Sequence, residues 1–281
     1  MRILVTGANG QLGSDVVDCL LQNGHEVIRA HKEDCDITDA AAVYGYFDSV
    51  APEAVIHCAA YTAVDRAESD REACFAVNVT GSENVAKAAE KHRAKCVYIS
   101  SDYVFDGEGE IPFETDGKKG PKNYYGLTKL EGENATLENC TRAFIVRISW
   151  VFGMNGGNFV KTIARISAEN DEINVVDDQV GSPTYTKDVS RVLAEMVTTE
   201  KYGVYHVTNE GFCSWREFAG EIIKITGENC RVNPVTSAEY PRPALRPLNS
   251  RLSKRSLDEN GFDRLPPWQN ALARFLEEYR Q

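Results

Sequence analysis

The sequence predicts an α/β protein with a doubly wound parallel sheet of the Rossmann type and a smaller, irregular C-terminal region. Three observations predict this class. Short apolar runs alternate with helical patterns in the first half, glycines follow the first run, and seven of the ten prolines lie beyond residue 180. We therefore expect a dinucleotide-binding domain at residues 1–155 and a mainly substrate-binding region at 156–281, and we leave open whether the two interleave.

The first half is predicted to alternate strand and helix. Arg2–Thr6 is a short apolar run, and Gln11–Gln22 has apolar residues at helical spacing before the stop signal Asn23-Gly24. The remaining elements expected here are the strands His25–Ala30, Ala54–Ala59, Lys95–Ser100 and Ala143–Ser149, and the helices Thr38–Val50, Arg71–His92 and Tyr124–Leu137. Short apolar strands between helices are typical of a parallel sheet covered on both faces.

After residue 155 the pattern is less regular. The elements expected there are the helices Phe159–Glu169, Thr186–Thr198, Ser214–Thr226 and Pro267–Tyr279, and the short strands Ile173–Val176, Val204–Val207 and Arg231–Val235. A loop with Asp177-Asp178-Gln179 and Gly181-Ser182-Pro183 separates two of them. This arrangement suits a small unit attached to the main sheet.

The composition narrows the classes of function. Lys and Arg total 31 and Asp and Glu total 42, so the formal net charge is −11. Nucleic acids and anionic membrane surfaces favour a basic face, so neither is an expected partner. No stretch approaches the ~18 apolar residues of a membrane-spanning helix, and the start MRILVTGANG lacks a signal-peptide core. The eight cysteines are scattered without a CxxC pair, so we expect a reduced, cytoplasmic protein with no bound metal.

Gly7, Gly10 and Gly13 lie between the first strand and the first helix, in the segment TGANGQLG. Glycine permits the tight turn, the approach of backbone to a pyrophosphate, and close packing of helix on strand. The helix start then offers free N–H groups and a positive dipole end to phosphate. The spacing is GxxGxxG rather than the commoner GxGxxG, but its place in a strand–helix unit predicts dinucleotide binding over an ordinary turn.

The residues after the second strand indicate which dinucleotide binds. An acidic residue there would hold the ribose 2′-hydroxyl of NAD, whereas basic residues tolerate the 2′-phosphate of NADP. Arg29, His31 and Lys32 come first, and Asp36 follows only later. The prediction is NADPH, with NADH left open and a solvated loop of mixed charge as the competing interpretation. Asp36 and Ile37 are candidates for the adenine pocket.

Tyr125 and Lys129 are four residues apart on a predicted helix and therefore share one face. A free tyrosine has a pKa near ~10, and a nearby ammonium would lower that pKa and suit the phenol to a carbonyl–alcohol pair. The preceding strand ends in Ser100-Ser101, at the sheet edge where ligands bind, so Ser101 is a candidate to hydrogen-bond the substrate oxygen. A surface Tyr–Lys pair is common by chance. Together with the glycine turn and Ser101, it predicts catalysis.

These residues carry a resemblance to a known family. The glycine turn, Ala59-Ala60 after a buried strand, Ser101, Tyr125 and Lys129 resemble the extended short-chain dehydrogenase/reductases. Within that group, nearly the whole chain resembles the dTDP-4-dehydrorhamnose reductases. The specific motifs are AAYTAVDRAESD (Ala59–Asp70), SSDYVFDG (Ser100–Gly107), YYGLTKLEGE (Tyr124–Glu133), RISWVFG (Arg147–Gly153) and DDQVGSPT (Asp177–Thr184).

The resemblance implies reduction of the C4 ketone of dTDP-4-dehydro-β-L-rhamnose to dTDP-L-rhamnose by NADPH or NADH. Tyr125 would supply the proton, and Lys129 would also hold the nicotinamide ribose. Ser101 stands where the family often has threonine. The other residues implied at the cofactor are Gly10, Gln11 and Leu12 at the pyrophosphate, Asp36 and Ile37 at the adenosine end, and Ala59, Ala60 and Tyr61 in the middle. Those implied at the sugar are Ser101, Asp102, Tyr103 and Trp150, with a half-buried core aromatic as the competing interpretation of Trp150.

The same residues exclude some of the other activities found in the extended short-chain dehydrogenase/reductases and leave others open. Sugar-nucleotide 4,6-dehydratases of the family carry an Asp-Glu pair after the strand-end hydroxyl. Here Tyr103 replaces the Glu after Asp102, so dehydration is not expected. A nucleotide-sugar 4-epimerase stays open, because it needs little beyond Tyr125, Lys129 and a retained NAD. A non-catalytic NADP-binding regulatory subunit, like that of methionine adenosyltransferase, is the other alternative.

The segment Arg242–Arg255 holds five basic residues and no acidic one. Arginine matches phosphate oxygens, so the segment predicts a pocket for the diphosphate of a nucleotide sugar, with Arg246 as the first candidate. A solvated or disordered basic loop is the competing interpretation. The expected partner is therefore a nucleotide-sugar substrate, and the oligomeric state is left open.

Overall fold

The computed structural model describes residues 1–280 of the chain. Its first half contains β1 (Arg2–Thr6), α1 (Gln11–Gln22), β2 (Glu26–Ala30), α2 (Ala40–Val50), β3 (Ala54–His57), α3 (Val64–Ala67), α4 (Arg71–Phe75), a π-helical turn (Ala76–Thr80), α5 (Gly81–Lys91), β4 (Lys95–Ser101), a 3₁₀ turn (Asp102–Val104), α6 (Tyr124–Asn139) and β5 (Ala143–Ile148). The alternation of strand and helix that the apolar runs predict is present throughout this half.

The second half is built from shorter strands. It contains β6 (Val151–Phe152), α7 (Phe159–Glu169), β7 (Glu172–Val176), β8 (Val180–Gly181), β9 (Thr184–Tyr185), α8 (Thr186–Met196), β10 (Gly203–His206), β11 (Cys213–Ser214), α9 (Trp215–Thr226), β12 (Arg231–Val235), β13 (Asn249–Ser250), α10 (Arg255–Glu259) and α11 (Trp268–Tyr279). The helices predicted for this half are present, and its strands outnumber the three that were predicted.

Six parallel strands form the central sheet in the order β10-β5-β4-β3-β1-β2. Apolar clusters cover both faces: one lies under α1 and α8, and the other lies under α2 and α5. The prediction of a doubly wound Rossmann-type sheet is confirmed. Because β1 lies between β2 and β3, the strand order reverses at β1, and ligands of such sheets bind at that crevice.

The helix predicted over Arg71–His92 is divided in the structure. A π-helical turn of five residues separates α4 from α5, so the prediction of one regular helix is wrong. A π turn inserts one residue without interrupting the apolar face, and helical periodicity therefore cannot reveal it. The helix predicted from Thr38 begins at Ala40 instead, because the Asp39 carboxylate accepts hydrogen bonds from the N–H groups of Ala41 and Ala42.

One strand and one helix from beyond residue 155 complete the first unit. β10 extends the sheet beside β5, with Tyr205 next to Val146. α8 packs against α1 on one face. We therefore propose that the dinucleotide-binding unit of residues 1–155 and the unit of residues 156–281 interleave.

The second unit has an apolar core of its own between α7, α9 and α11. Aromatic side chains dominate it, among them Phe152, Tyr185, Phe218, Trp268 and Phe275. The capping box of Ser214 and Glu217 starts α9, and β7 pairs in parallel with β12. Within residues 1–280, none of the helices has the length and apolar character needed to cross a membrane.

Candidate active site

The turn after β1 is shaped so that only glycine fits. Gly7 has a φ of +63°, and its N–H donates to the carbonyl oxygen of Ala30 at 3.1 Å. A β-carbon on Gly7 would lie 2.8 Å from the backbone of Ala59, and one on Gly13 would overlap the carbonyl oxygen of Gly7. Gly10 directly precedes α1, whose first turn contains no acidic side chain. The free N–H groups at this helix start suit a pyrophosphate.

One cavity of about 890 Å³ opens at this turn. Its lining includes every site residue predicted from the sequence except Arg246: Gly7, Gly10, Gln11, Leu12, Gly13, Asp36, Ile37, Ala59, Ala60, Tyr61, Ser101, Asp102, Tyr103, Tyr125, Lys129 and Trp150. The carboxyl ends of β1, β3, β4 and β5 converge there, as the reversal of strand order requires.

Basic and polar groups line the end of the cavity beyond β2. His31 and Lys32 belong to its wall, whereas Arg29 does not. The Nδ1 atom of His31 is buried and has no hydrogen-bond partner among residues 1–280. The Asp36 carboxylate accepts from the backbone N–H and the hydroxyl of Thr38, at 3.0 and 2.7 Å. This end therefore offers an unpaired imidazole nitrogen and an ammonium to a ribose or its phosphate.

Ser101 closes β4 and points its hydroxyl at the next residue. The hydroxyl donates to the Oδ1 atom of Asp102 at 2.9 Å and accepts from the N–H of Tyr103 at 3.2 Å. Asp102 is buried, and its Oδ2 atom has no partner within the described chain. Burial raises the pKa of Asp102 to about 6, against hydrogen bonds from Ser250 and Ser101 that lower it. A hydroxyl and a weakly acidic carboxyl thus face the cavity together.

Tyr125 and Lys129 lie one turn apart on α6 and both reach the cavity. Desolvation, with the charge of Asp102, raises the pKa of Tyr125 above its ordinary value. Burial lowers the pKa of Lys129 to about 7, and its ammonium lies 4.1 Å from the ring centroid of Tyr98. The expectation of a lowered pKa for Tyr125 is therefore wrong for this structure, because burial and the charge of Asp102 raise that pKa.

Asn78, which was missed from the sequence, lies behind the cavity wall and holds a residue that lines it. It lies in the π-helical turn, where its Oδ1 atom accepts from the N–H of Tyr61 at 2.8 Å. Its Nδ2 atom donates to the carbonyl oxygen of Tyr61 at 3.1 Å and to the hydroxyl of Thr128 at 3.0 Å. Asn78 thus joins the loop after β3 to α6 beside Lys129. A buried asparagine inside a helical pattern was the only signal in the sequence.

Two tryptophans form the wall of the cavity that faces the second unit. Trp150 has a φ of 49°, which residues other than glycine rarely adopt. Its ring stacks on that of Trp215, with centroids 3.7 Å apart and planes 11° apart. Trp215, also missed from the sequence, donates from its indole N–H to the Oε1 atom of Gln179 at 3.1 Å. The pair presents an apolar, rigid surface to a ligand.

Arg246 lies outside this cavity. Its guanidinium donates to the Asp65 carboxylate, with distances of 2.6 Å to Oδ1 and 2.9 Å to Oδ2. Arg246, Arg242 and Arg251 instead line a second cavity of about 830 Å³. Arg246 was expected to meet a diphosphate freely, but in this structure a carboxylate already engages it.

Residues 1–280 contain no group of three or more His, Cys, Asp and Glu side chains arranged to hold a metal ion. All eight cysteines, which belong to this part of the chain, are free thiols. The polar groups of the main cavity include backbone N–H groups, hydroxyls, carboxyls, amides, an imidazole and amines.

Comparisons with known proteins show the family to which the chain belongs. A family model described as the RmlD substrate binding domain matches residues 1–281. The dTDP-4-dehydrorhamnose reductase of Aggregatibacter actinomycetemcomitans is 38% identical, and the match covers 96% of this chain and 97% of the relative.

Two solved structures of dTDP-4-dehydrorhamnose reductases are also similar to this chain. A dTDP-4-dehydrorhamnose reductase from Clostridium acetobutylicum superposes with a TM-score of 0.98 at 41% identity, covering 100% of both chains. The reductase from Bacillus anthracis, solved in complex with NADP, superposes with a TM-score of 0.96 at 41% identity, covering 99% of both chains. The chain therefore belongs to the RmlD substrate-binding-domain family, the family of the dTDP-4-dehydrorhamnose reductases.

Proposed function

We propose that this protein is an NADPH-dependent reductase that converts dTDP-4-dehydro-β-L-rhamnose to dTDP-L-rhamnose, with NADH as a second donor. One observation carries the proposal: Ser101, Tyr125 and Lys129 line the same cavity as the glycine turn. Full-length relatives named for this reaction support the choice of substrate.

The cavity residues fit the cofactor. When bound, NADPH supplies the hydride for C4 of the sugar. The N–H groups at the start of α1 hold the pyrophosphate, and the absence of a side chain at Gly13 lets α1 pack against the Gly7 carbonyl so that the turn keeps its shape. His31 and Lys32 hold the ribose phosphate, and Lys129 holds the nicotinamide ribose. The orphaned Nδ1 atom of His31 supports this assignment, since a buried nitrogen without a partner is costly.

Tyr125 provides the proton. Its raised pKa keeps the phenol protonated at neutral pH, as a proton donor requires. The oxyanion formed at C4 takes this proton, and the Lys129 ammonium stabilises the phenolate that remains. The Ser101 hydroxyl, whose oxygen accepts from the Tyr103 N–H, turns its single O–H from Asp102 to the same substrate oxygen. Tyr103 and the Trp150–Trp215 stack border the sugar.

The nucleotide carrier extends toward the basic segment. Arg242, Arg246 and Arg251 line the second cavity, and an array of guanidinium groups suits a diphosphate. Arg246 takes part there through the N–H groups that Asp65 does not use. The expected partner is thus a dTDP-linked 4-keto-6-deoxyhexose. The free cysteines support a reducing compartment, the cytoplasm, as the place of the reaction.

A coupled assay tests the reaction. The unstable 4-keto sugar is generated in situ from dTDP-glucose by a dehydratase and a 3,5-epimerase, with NADPH and NADH tested separately. We expect cofactor oxidation only when all three enzymes are present, with dTDP-L-rhamnose as product. No oxidation by a protein that still binds NADPH would contradict the proposal and favour an epimerase with retained NAD or a non-catalytic subunit.

A further inference from the structure

A buried ion pair lies directly behind the catalytic residues. The Arg147 guanidinium donates to both carboxylate oxygens of Glu133, at 2.8 and 2.7 Å. Both side chains are only 2% exposed. The Ser100 hydroxyl also donates to Glu133. Neither Glu133 nor Arg147 lines the cavity, so neither touches a bound ligand.

Further polar groups surround this pair. The third guanidinium nitrogen of Arg147, Nη1, donates to the carbonyl oxygen of Thr115 at 2.8 Å and lies 3.3 Å from Nε2 of His206. The Nδ1 atom of His206 lies 3.0 Å from the carbonyl oxygen of Ser253, so Nδ1 donates the hydrogen bond there and Nε2 accepts. Burial holds the pKa of His206 well below its ordinary value, so the ring is neutral. The cluster carries one negative and one positive charge.

The pair joins three elements that carry catalytic residues or border them. Glu133 lies on α6, one helical turn after Lys129 and two after Tyr125. Ser100 directly precedes Ser101 on β4, and Arg147 on β5 is the sheet neighbour of Ser100. The hydrogen bonds of Glu133 therefore tie the Tyr–Lys face of α6 to the strand end that presents the catalytic serine.

Stability alone does not account for such a pair. Removing two charges from water costs several kcal/mol each, and apolar replacements of buried ion pairs are often equally stable or more so. Precise placement is the alternative reason, since catalytic geometry depends on a rigid supporting layer.

We propose that Glu133 is a positioning residue for the proposed reduction, and the proposal rests on that function. Its hydrogen bonds hold α6 in register with β4, and its negative charge favours the ammonium form of Lys129 against burial. Arg147 holds the carboxylate of Glu133 in place for both tasks.

Other groups around Lys129 do not take over this role. The charged and titratable side chains that face it from neighbouring elements are Tyr98 on β4, His57 on β3, Cys58 after β3, Cys74 on α4, Tyr125 on α6 and Glu133. Glu133 is the first of the groups that raise the pKa of Lys129 against burial. The remaining groups are thiols, phenols or a neutral imidazole, so Glu133 supplies the carboxylate charge.

NADPH affinity measured against pH by nicotinamide fluorescence tests this proposal without any turnover. Loss of the Lys129 ammonium weakens the hold on the anionic cofactor, so affinity should fall on the alkaline side. Glu133→Gln keeps the shape of the side chain, removes its charge and replaces one of its two acceptor oxygens with an N–H donor. In this variant the fall should begin about one pH unit lower. In the coupled assay, kcat at neutral pH should drop about tenfold, with little change in the KM for the sugar nucleotide.

Asp188→Asn is the matched control. Asp188 is a buried carboxylate paired with Arg274 at 2.6 Å, and it lies outside the cavity. This variant should lose stability but keep the wild-type pH profile. An unchanged profile and kcat in Glu133→Gln, or an equal shift in Asp188→Asn, would overturn the proposal.

A third variant covers the case in which Glu133→Gln does not fold. Glu133→Asp keeps the charge but shortens its reach, so kcat should fall while the alkaline midpoint stays in place. An unchanged kcat would overturn the positioning role. A wild-type protein that binds NADPH without reducing the sugar would reject the proposed function alone, because the NADPH-affinity profiles still decide whether Glu133 acts on Lys129.

Discussion

Asp65 and Arg246, 181 positions apart in the chain, form a two-point ion pair with N···O distances of 2.6 and 2.9 Å. The Arg246 hydrogen bond lowers the pKa of Asp65. Asp65 also accepts from the N–H of Ala244, and Asn123 donates to the carbonyl oxygen of Leu245 at 2.7 Å. The basic segment is therefore anchored to α3 and to the start of α6, beside the main cavity.

This anchoring predicts how Arg246→Ala should behave. Loss of the guanidinium removes one phosphate ligand and frees the segment, so KM for the nucleotide sugar should rise about tenfold with kcat little changed. NADPH affinity should not change. Arg255→Ala is the control, since Arg255 belongs to the same basic segment but lines neither cavity. Equal KM values for the nucleotide sugar in the two variants would show that Arg246 does not bind the substrate.

Tyr125→Phe isolates the proton donor. The ring and its edge-to-face contact with Tyr103, at 5.6 Å between centroids, remain, but the hydroxyl is lost. We expect kcat to fall about 100-fold or more and the Kd for NADPH to stay within about twofold. Tyr124→Phe serves as control, because its side chain lies outside the cavity under Arg71. Near-wild-type turnover in Tyr125→Phe would reject the assignment.

Gly13→Ala tests the cofactor turn. The added methyl group would overlap the carbonyl oxygen of Gly7, so the turn must shift and NADPH affinity should fall at least about tenfold. Gly45→Ala adds the same methyl group on α2, where no atom lies within 4 Å. That control should bind NADPH normally and gain up to ~1 kcal/mol of stability. Normal NADPH binding by Gly13→Ala would mean that the pyrophosphate lies elsewhere.

Lys32→Asp tests the choice between the two dinucleotides. A carboxylate would repel the 2′-phosphate and accept from the 2′-hydroxyl, so the ratio of kcat/KM for NADPH over NADH should fall about tenfold or more. Lys118→Asp makes the same charge change at an exposed position outside both cavities. A ratio that is equal in the wild type and in Lys32→Asp would show that this loop does not contact the phosphate.

Local sequence signals predicted much of the fold and of the cofactor site. The glycine turn and the bounds of α1 and α7 follow from spacing and stop signals within a few residues. The Tyr125–Lys129 pair was equally visible, because residues four apart on a helix share a face.

Features that depend on distant contacts could not be predicted. Trp215 reaches the cavity only because it stacks on Trp150, 65 positions earlier in the chain. The direction in which the pKa of Tyr125 shifts depends on burial, which no local sequence pattern indicates. The Arg246 pair likewise needs Asp65 to be brought near by the fold. In each case a tertiary neighbour determines the property.

Transfer of deuterium tests the central claim most directly. NADPH carrying deuterium at the transferred position of the nicotinamide is supplied to the coupled reaction, and the sugar nucleotide is analysed by NMR. The account predicts dTDP-L-rhamnose with one deuterium at C4 for each NADPH oxidised. A sugar without deuterium, whether epimerised or unchanged, would contradict it.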